Sequence, residues 1–245
     1  MIAILSALPE EQDGLLSCMT GVVRVEHGGR TFWRGSLKEQ EVVLALSRIG
    51  KVAAATTATA LVAHFGVQRM LFTGVAGGTG PGVAVGDVVV GSHYMQHDMD
   101  ASPLFPRYEI PLTGCSVLPA DPALQDAACA AVRKVQQAVR SEPYQANLHC
   151  GLIASGDRFV SSGQEVHKLM ADAAASGFSP LAVEMEGAAV AQVCADYGIP
   201  FVAIRTISDR ADDVAHVDFP RFVRETASVY ALAIVREFLR LLSNK

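Results

Sequence analysis

The run LAVEMEGAAVAQVCADYGIPFVAIRT, residues 181–206, decides the architecture. Residues 181–184 read as a short apolar strand, 186–197 as a helix and 200–206 as a second apolar strand. Two strands joined through a helix are the strand–helix alternation of a central mixed sheet sandwiched by helices. The same alternation extends outward on both sides. A helix is expected over 121–138, a strand near 148–154, a helix near 163–175 and a last helix from about 219 to 243. Further upstream, residues 2–7 form an apolar strand ending at Pro9-Glu10-Glu11, which marks a helix N-terminus, where proline and acids are favoured.

The runs 21–27, 31–37 and 41–47 are joined by Gly28-Gly29 and by Lys38-Glu39-Gln40, and they read as an antiparallel meander. Alanine-rich 51–65 reads as a helix and 68–73 as another buried strand. Val75-Ala76-Gly77-Gly78-Thr79-Gly80-Pro81-Gly82 is then a loop, too rich in glycine and proline to continue an element, before a strand at Val85–Gly91. Residues 98–120, with Pro103, Pro106, Pro111 and Pro119, form a long excursion of the functional or interfacial kind. The expectation is a single α/β domain over 1–245, a central mixed β-sheet flanked by helices on both faces.

Composition agrees. Half of the 245 residues are hydrophobic and only 18% are charged, which suits a sheet covered on both sides and excludes disorder. A net charge of -5, with both signs interleaved, leaves no basic stripe for a nucleic acid. Cys18, Cys115, Cys129, Cys150 and Cys194 are odd in number and scattered, implying reduced thiols in a cytoplasmic protein rather than a disulfide framework or zinc site. The apolar Met1–Ala7 lacks the basic residues of a signal peptide, and no stretch reaches the ~20 apolar residues of a membrane span.

Ligands of open α/β sheets sit at the carboxyl ends of strands. Four polar clusters fall there: Glu10-Glu11, Ser155-Gly156-Asp157-Arg158-Phe159, Glu184-Met185-Glu186 and Ser208-Asp209-Arg210. Carboxylates on one rim, without a Ser-His or Cys-His pattern, suit proton transfer and sugar binding. Each acid also has a plain structural reading. Glu11 is favoured by a helix dipole, Asp209 suits a cap or a loop brace, and Glu184 and Glu186 suit a helix start. The glycine loop mimics a dinucleotide fingerprint, but a strand follows it instead of a helix. His93 and His97 lack a third ligand at usable spacing, so solvent or loop roles are expected of them. Phe222, Val229, Leu232 and Phe238 form the expected core stripe of the last helix, and Asp212-Asp213 a solvated loop.

Six blocks in order carry a family resemblance: ALPEE (7–11), SRIGKVAAA (47–55), TGVAGG (73–78), SGDRF (155–159), VEME (183–186) and RTISD (205–209). Over nearly its whole length the chain resembles the purine nucleoside phosphorylase superfamily, and within it the bacterial hydrolases of 5'-methylthioadenosine and S-adenosylhomocysteine. The resemblance implies cleavage of an adenine–ribose bond without cofactor or metal. It makes Glu11 the acid that activates water and Asp209 the acid that protonates N7 of adenine, oriented by Ser208. Glu186 would bind the ribose hydroxyls, with Met185 beneath the sugar. Phe159 would stack on adenine, whose edge the Val160 backbone reads. Val75 and Ala76 would lie beside the water site, and Ile49 and Phe219 would line the 5'-alkylthio pocket. Phe105 would complete that pocket in the neighbouring subunit of a homodimer.

Those roles require Asp209 to hold a proton near neutrality and Glu11 to act ionised, so Arg210 is expected to point away from Asp209. The chain departs from the family where Val75 replaces a common serine, and Arg48 a common glycine. Arg158 is also unusual. Arginines near a sugar hold phosphate well, so a phosphate-dependent phosphorylase is the alternative, as is a hydrolase of another purine nucleoside such as futalosine.

Overall fold

A computed structural model describes residues 1–138, 146–210 and 228–243. Its strands are β1 (Ile2–Ser6), β2 (Thr20–His27), β3 (Arg30–Leu37), β4 (Gln40–Leu46), β5 (Arg69–Gly78), β6 (Val88–Gln96), β7 (Leu118–Pro119), β8 (Leu148–Ser155), β9 (Ala182–Glu184) and β10 (Phe201–Asp209). Its helices are α1 (Pro9–Ser17), α2 (Lys51–Ala63), α3 (Pro122–Ala138), α4 (Gly163–Ala175), α5 (Gly187–Tyr197) and α6 (Ser228–Ser243). Phe219, Phe222 and Asp212-Asp213 lie outside the described residues.

All ten strands join one mixed sheet in the order β10-β6-β8-β9-β5-β1-β4-β3-β2, with β7 on β6. An additional parallel pairing of β10 with β5 closes five strands, β5, β10, β6, β8 and β9, into a ring. The meander β2-β3-β4 is antiparallel, as expected, and joins β1 in parallel. Alternation along β1 separates two cores. Ala3 and Leu5 face α2 and α5 through Ala54, Ala58, Leu61, Ala188 and Val190. Ile2 and Ile4 face Leu15 of α1, Val132 of α3 and Val235 of α6. Helices therefore cover both faces.

Three details correct the sequence reading. β5 does not stop at residue 73 but runs through Val75-Ala76-Gly77-Gly78. It continues because its backbone is paired on both sides there: Gly77 opposes Asp209 of β10 and Val183 of β9. The glycines serve close approach rather than turning. A Cβ on Gly78 would lie 3.0 Å from Ile207 Cγ2 and 3.1 Å from Val83 Cγ1. The next strand accordingly starts later, at Val88, with no helix between. On α6 the buried face is Ala231, Ile234, Val235, Phe238 and Leu239, the i, i+3, i+4, i+7, i+8 stripe of a helix. Phe238 belongs to it and Leu232 packs at its margin, but Val229 falls on the far side and is 61% exposed. Of the two histidines expected in solvent or loop roles, His97 lies in the turn after β6 with its ring packed against Gly156 and Nε2 buried, and His93 is exposed on β6.

Candidate active site

Pro9 begins α1 and places Glu11 at its third position. From there the carboxylate reaches back: Oε2 accepts the N–H groups of Ala7 at 2.9 Å and Leu8 at 3.0 Å. This is the reciprocal half of a capping box. The other oxygen, Oε1, accepts Val75 N–H from β5 at 3.1 Å. Glu11 is 3% exposed, and burial raises its pKa against the pull of the Leu8 N–H, the Arg205 charge and the Ala7 and Val75 N–H groups. The capping and catalytic readings thus do not compete. One carboxylate terminates the helix and still lines the cavity beyond it.

A second acid comes from the β9–α5 turn. Glu186 is the N-cap residue of α5 and accepts Gly50 N–H at 2.9 Å. Burial, then the charge of Glu184, push its pKa up to about 7 against the pull of Arg205 and of the Gly50 N–H. Glu184, two residues earlier, is a structural hub. It accepts Glu186 N–H at 3.2 Å and Gly187 N–H at 2.8 Å, the Ser155 hydroxyl, and Arg205 Nη2 at 2.6 Å. The helix-start reading was right for this residue, since α5 opens on N–H groups that need an acceptor.

The sequence shows Arg205 only as the first residue of the RTISD block, with no role of its own. In the fold it pairs with Glu184, and its guanidinium carbon lies 4.0 Å from the Phe72 ring centroid. The signal was an arginine within an otherwise apolar strand, a charge that burial tolerates only when paired. Arg205 also borders the Glu11 site. A Cβ on Gly74 would sit 2.8 Å from Arg205 Nη1 and 3.0 Å from Glu11 Oε1, so the glycine lets both groups close in on β5.

The third acid ends β10. Register shifts between Ile207, opposite Ala76, and Asp209, opposite Gly77, leaving Ser208 as a bulge. Neighbours in a regular strand point to opposite faces, but here Ser208 and Asp209 both line the cavity. Ser208 Oγ donates to Asp209 Oδ2 at 2.7 Å and lies 3.4 Å from the Ala76 carbonyl oxygen. Arg210 is exposed.

These elements enclose about 750 Å³ of space, open mouth included, the size of a small-molecule site. Glu11, Ile49, Val75, Ala76, Phe159, Val160, Met185, Glu186, Ser208 and Asp209 all line it. Ile49 and Phe159 remain 59% and 46% exposed at its mouth. Phe105 does not line it. That side chain is half-buried in the excursion between β6 and β7. Arg48 also stays away: held at φ +62°, it donates through Nη2 to the Gly29 carbonyl. Arg158 is at the rim, paired with Glu165.

A second network braces the mouth and escaped the sequence reading. The Lys51 ammonium donates to Asp98 at 2.6 Å and Gln96 at 3.0 Å, while Asp157 accepts Lys51 N–H at 2.7 Å. Its members are far apart in sequence, so no local spacing announces it. Among the described residues no group of three or more His, Cys, Asp or Glu side chains is placed to hold a metal, and none of the helices is long and apolar enough to cross a membrane.

Three acids and an apolar mouth gathered where β1, β5, β9 and β10 end make this the site of an α/β enzyme that transfers protons on a small, partly apolar molecule. Residues 1–240 match the family model of the Phosphorylase superfamily, and the chain belongs to that family. It is 35% identical to an aminodeoxyfutalosine nucleosidase of Helicobacter pylori over 94% of either chain. It is equally 35% identical to a 5'-methylthioadenosine/S-adenosylhomocysteine nucleosidase of an Exiguobacterium species, over 96% of this chain and 95% of the relative. The crystal structure of the nucleosidase of that name from Neisseria meningitidis, in complex with methylthio-immucillin-A, superposes with a TM-score of 0.88 at 34% identity, covering 98% of each chain.

Proposed function

We propose that this protein hydrolyses the N-glycosidic bond of 5'-methylthioadenosine and S-adenosylhomocysteine, releasing adenine and the thioribose. The observation that carries the proposal is the meeting of Glu11, Glu186 and Asp209, from three separate elements, in one cavity with an apolar mouth. Breaking the bond leaves positive charge on the ribose ring and an electron pair on the base, so the base departs more easily once protonated. Asp209, steadied by Ser208, gives the proton to N7. Glu11 takes a proton from the water that attacks the sugar carbon, and the burial that raises its pKa makes it a better base. Glu186 accepts the ribose hydroxyls above Met185. Phe159 stacks on adenine, Val160 presents its backbone to the adenine edge, and Val75 and Ala76 wall the water site. Ile49 and Phe219 take the 5' substituent.

Phosphate is a poorer nucleophile for this site. Arg205 and Arg158, the two arginines of its lining among the described residues, are each already paired with a glutamate, and Glu11 would repel an anion. The Helicobacter relative favours one second reading, an aminodeoxyfutalosine as substrate, with the three acids in the same roles.

Residues 1–245 act as one domain and pair as a homodimer, each Phe105 reaching the neighbouring 5' pocket. Five free thiols suit a cytoplasmic enzyme, with methionine salvage as its setting. The test incubates the protein with 5'-methylthioadenosine, with and without phosphate, and identifies the sugar. Free thioribose in both arms is expected. Strict phosphate dependence with a sugar 1-phosphate product overturns hydrolysis, and a much higher kcat/KM for aminodeoxyfutalosine moves the substrate to the second reading.

A further inference from the structure

Cys129 of α3 and Cys150 of β8 lie far from any paired motif in the sequence, yet the fold sets their sulfurs 3.7 Å apart. All five cysteines are free thiols. A bond needs the sulfurs at ~2.05 Å, a gap that small side-chain adjustments across a helix–strand contact can close. The two thiols are unlike. Cys150 is exposed, whereas Cys129 is buried beneath it. Gln125, one helical turn before Cys129, donates its side-chain amide to Cys150 Sγ at 2.8 Å and so holds that sulfur over α3. Burial and the neighbouring Cys150 sulfur push the Cys129 thiol up to about 12, which keeps it from reacting first.

The geometry points to a redox modification site: Cys129 and Cys150 join in a reversible intrachain disulfide when the protein meets a peroxide. The exposed Cys150 thiolate attacks one peroxide oxygen, the O–O bond breaks, and a sulfenic acid forms as hydroxide leaves. Cys129 then attacks the sulfenic sulfur. The S–S bond forms, the S–O bond breaks, and water departs with the Cys129 proton. Two thiols give up two electrons, and the peroxide is reduced to two waters. The bridge closes a span of 21 residues and ties α3 to β8, the strand whose last residue, Ser155, donates to Glu184. Closing a span of that length restrains the unfolded chain, so the oxidised form melts higher, by about 5 °C or more.

The experiment exposes the folded protein to equimolar hydrogen peroxide, then alkylates it, digests it and maps the peptides by mass spectrometry. A Cys129–Cys150 linked peptide, about 2 Da below the sum of its reduced parts, is expected, together with loss of two titratable thiols, recovery with dithiothreitol and the higher melting temperature. Cys150→Ser should lose no thiol pair, and Cys129→Ser should leave a sulfenic acid on Cys150 that dimedone traps. Oxygen added to Cys150 without the linked peptide overturns the proposal, as does a disulfide between two chains or with another cysteine. The map of the unaltered protein decides this even if a variant fails to fold.

Discussion

Replacing Glu186 by glutamine should stabilise the folded protein in mild base and leave it unchanged in acid. The carboxyl is 5% exposed, and burial together with the Glu184 charge lifts its pKa from 4.5 to about 7. The folded state therefore holds this proton more tightly than the unfolded chain does. Stability is full below pH 4.5, falls as the pH climbs toward 7, and stays lowered above it. A rise of about 2.5, at about 1.4 kcal/mol each, amounts to about 3 kcal/mol. Glutamine has the same shape, carries no charge and can still accept the Gly50 N–H. At pH 8.5 Glu186→Gln should thus gain about 3 kcal/mol, or about 6–12 °C in Tm for a chain of this size. At pH 4.5 the gain should vanish. Calorimetric melting of both proteins at both pH values isolates the effect, because every other titrating group is common to the pair. The same change removes a charged acceptor for the ribose hydroxyls, so KM for 5'-methylthioadenosine should rise about 10- to 100-fold. Equal Tm offsets at the two pH values, or a lower Tm for the variant at pH 8.5, would refute the reasoning.

Three further outcomes follow from the same contacts. Asp209→Asn keeps the shape of the site but has no proton to give, so kcat should fall at least a hundredfold while adenine nucleosides still bind by calorimetry; normal turnover would remove Asp209 from catalysis. Gly74→Ala drives a methyl group against Arg205 and Glu11, and a displacement near 1 Å should lower kcat/KM about a hundredfold; unimpaired activity would show that neither group needs its place. Arg205→Met leaves Glu184 buried without its cation, at a cost of about 3–5 kcal/mol, whereas adding Glu184→Gln should recover much of the loss in urea unfolding. Additive losses in that double variant would mean the pair is not coupled.

Most of the fold is legible in the sequence because strands and helices here differ in period. The elements from β8 to α5 and the β2-β3-β4 meander emerge within a residue or two of their positions, while β10 runs three residues beyond its expected end, to Asp209. What escaped were features set by neighbours. The sequence ends β5 at its glycines, since nothing local reveals that β9 and β10 press against them from both sides. The sequence places Val229 in the core of α6 because apolarity alone marks a stripe, while the docking partner decides which stripe is buried.

The candidate site divides along the same line. The sequence determined which residues are present and in what order: Glu11 after Pro9, Glu186 at the head of α5, Asp209 at the end of β10, with Phe159 and Met185 between. Those follow from ordered motifs at strand ends. Only the tertiary structure decided that Glu184 holds Arg205, that Arg48 turns to Gly29 rather than to the cavity, and that Cys129 meets Cys150. Each of these joins groups that are apart in the chain: Arg205 is buried, where a charge needs the partner that packing supplies, whereas Arg48 reaches a backbone carbonyl at the surface and Cys150 lies exposed over Cys129.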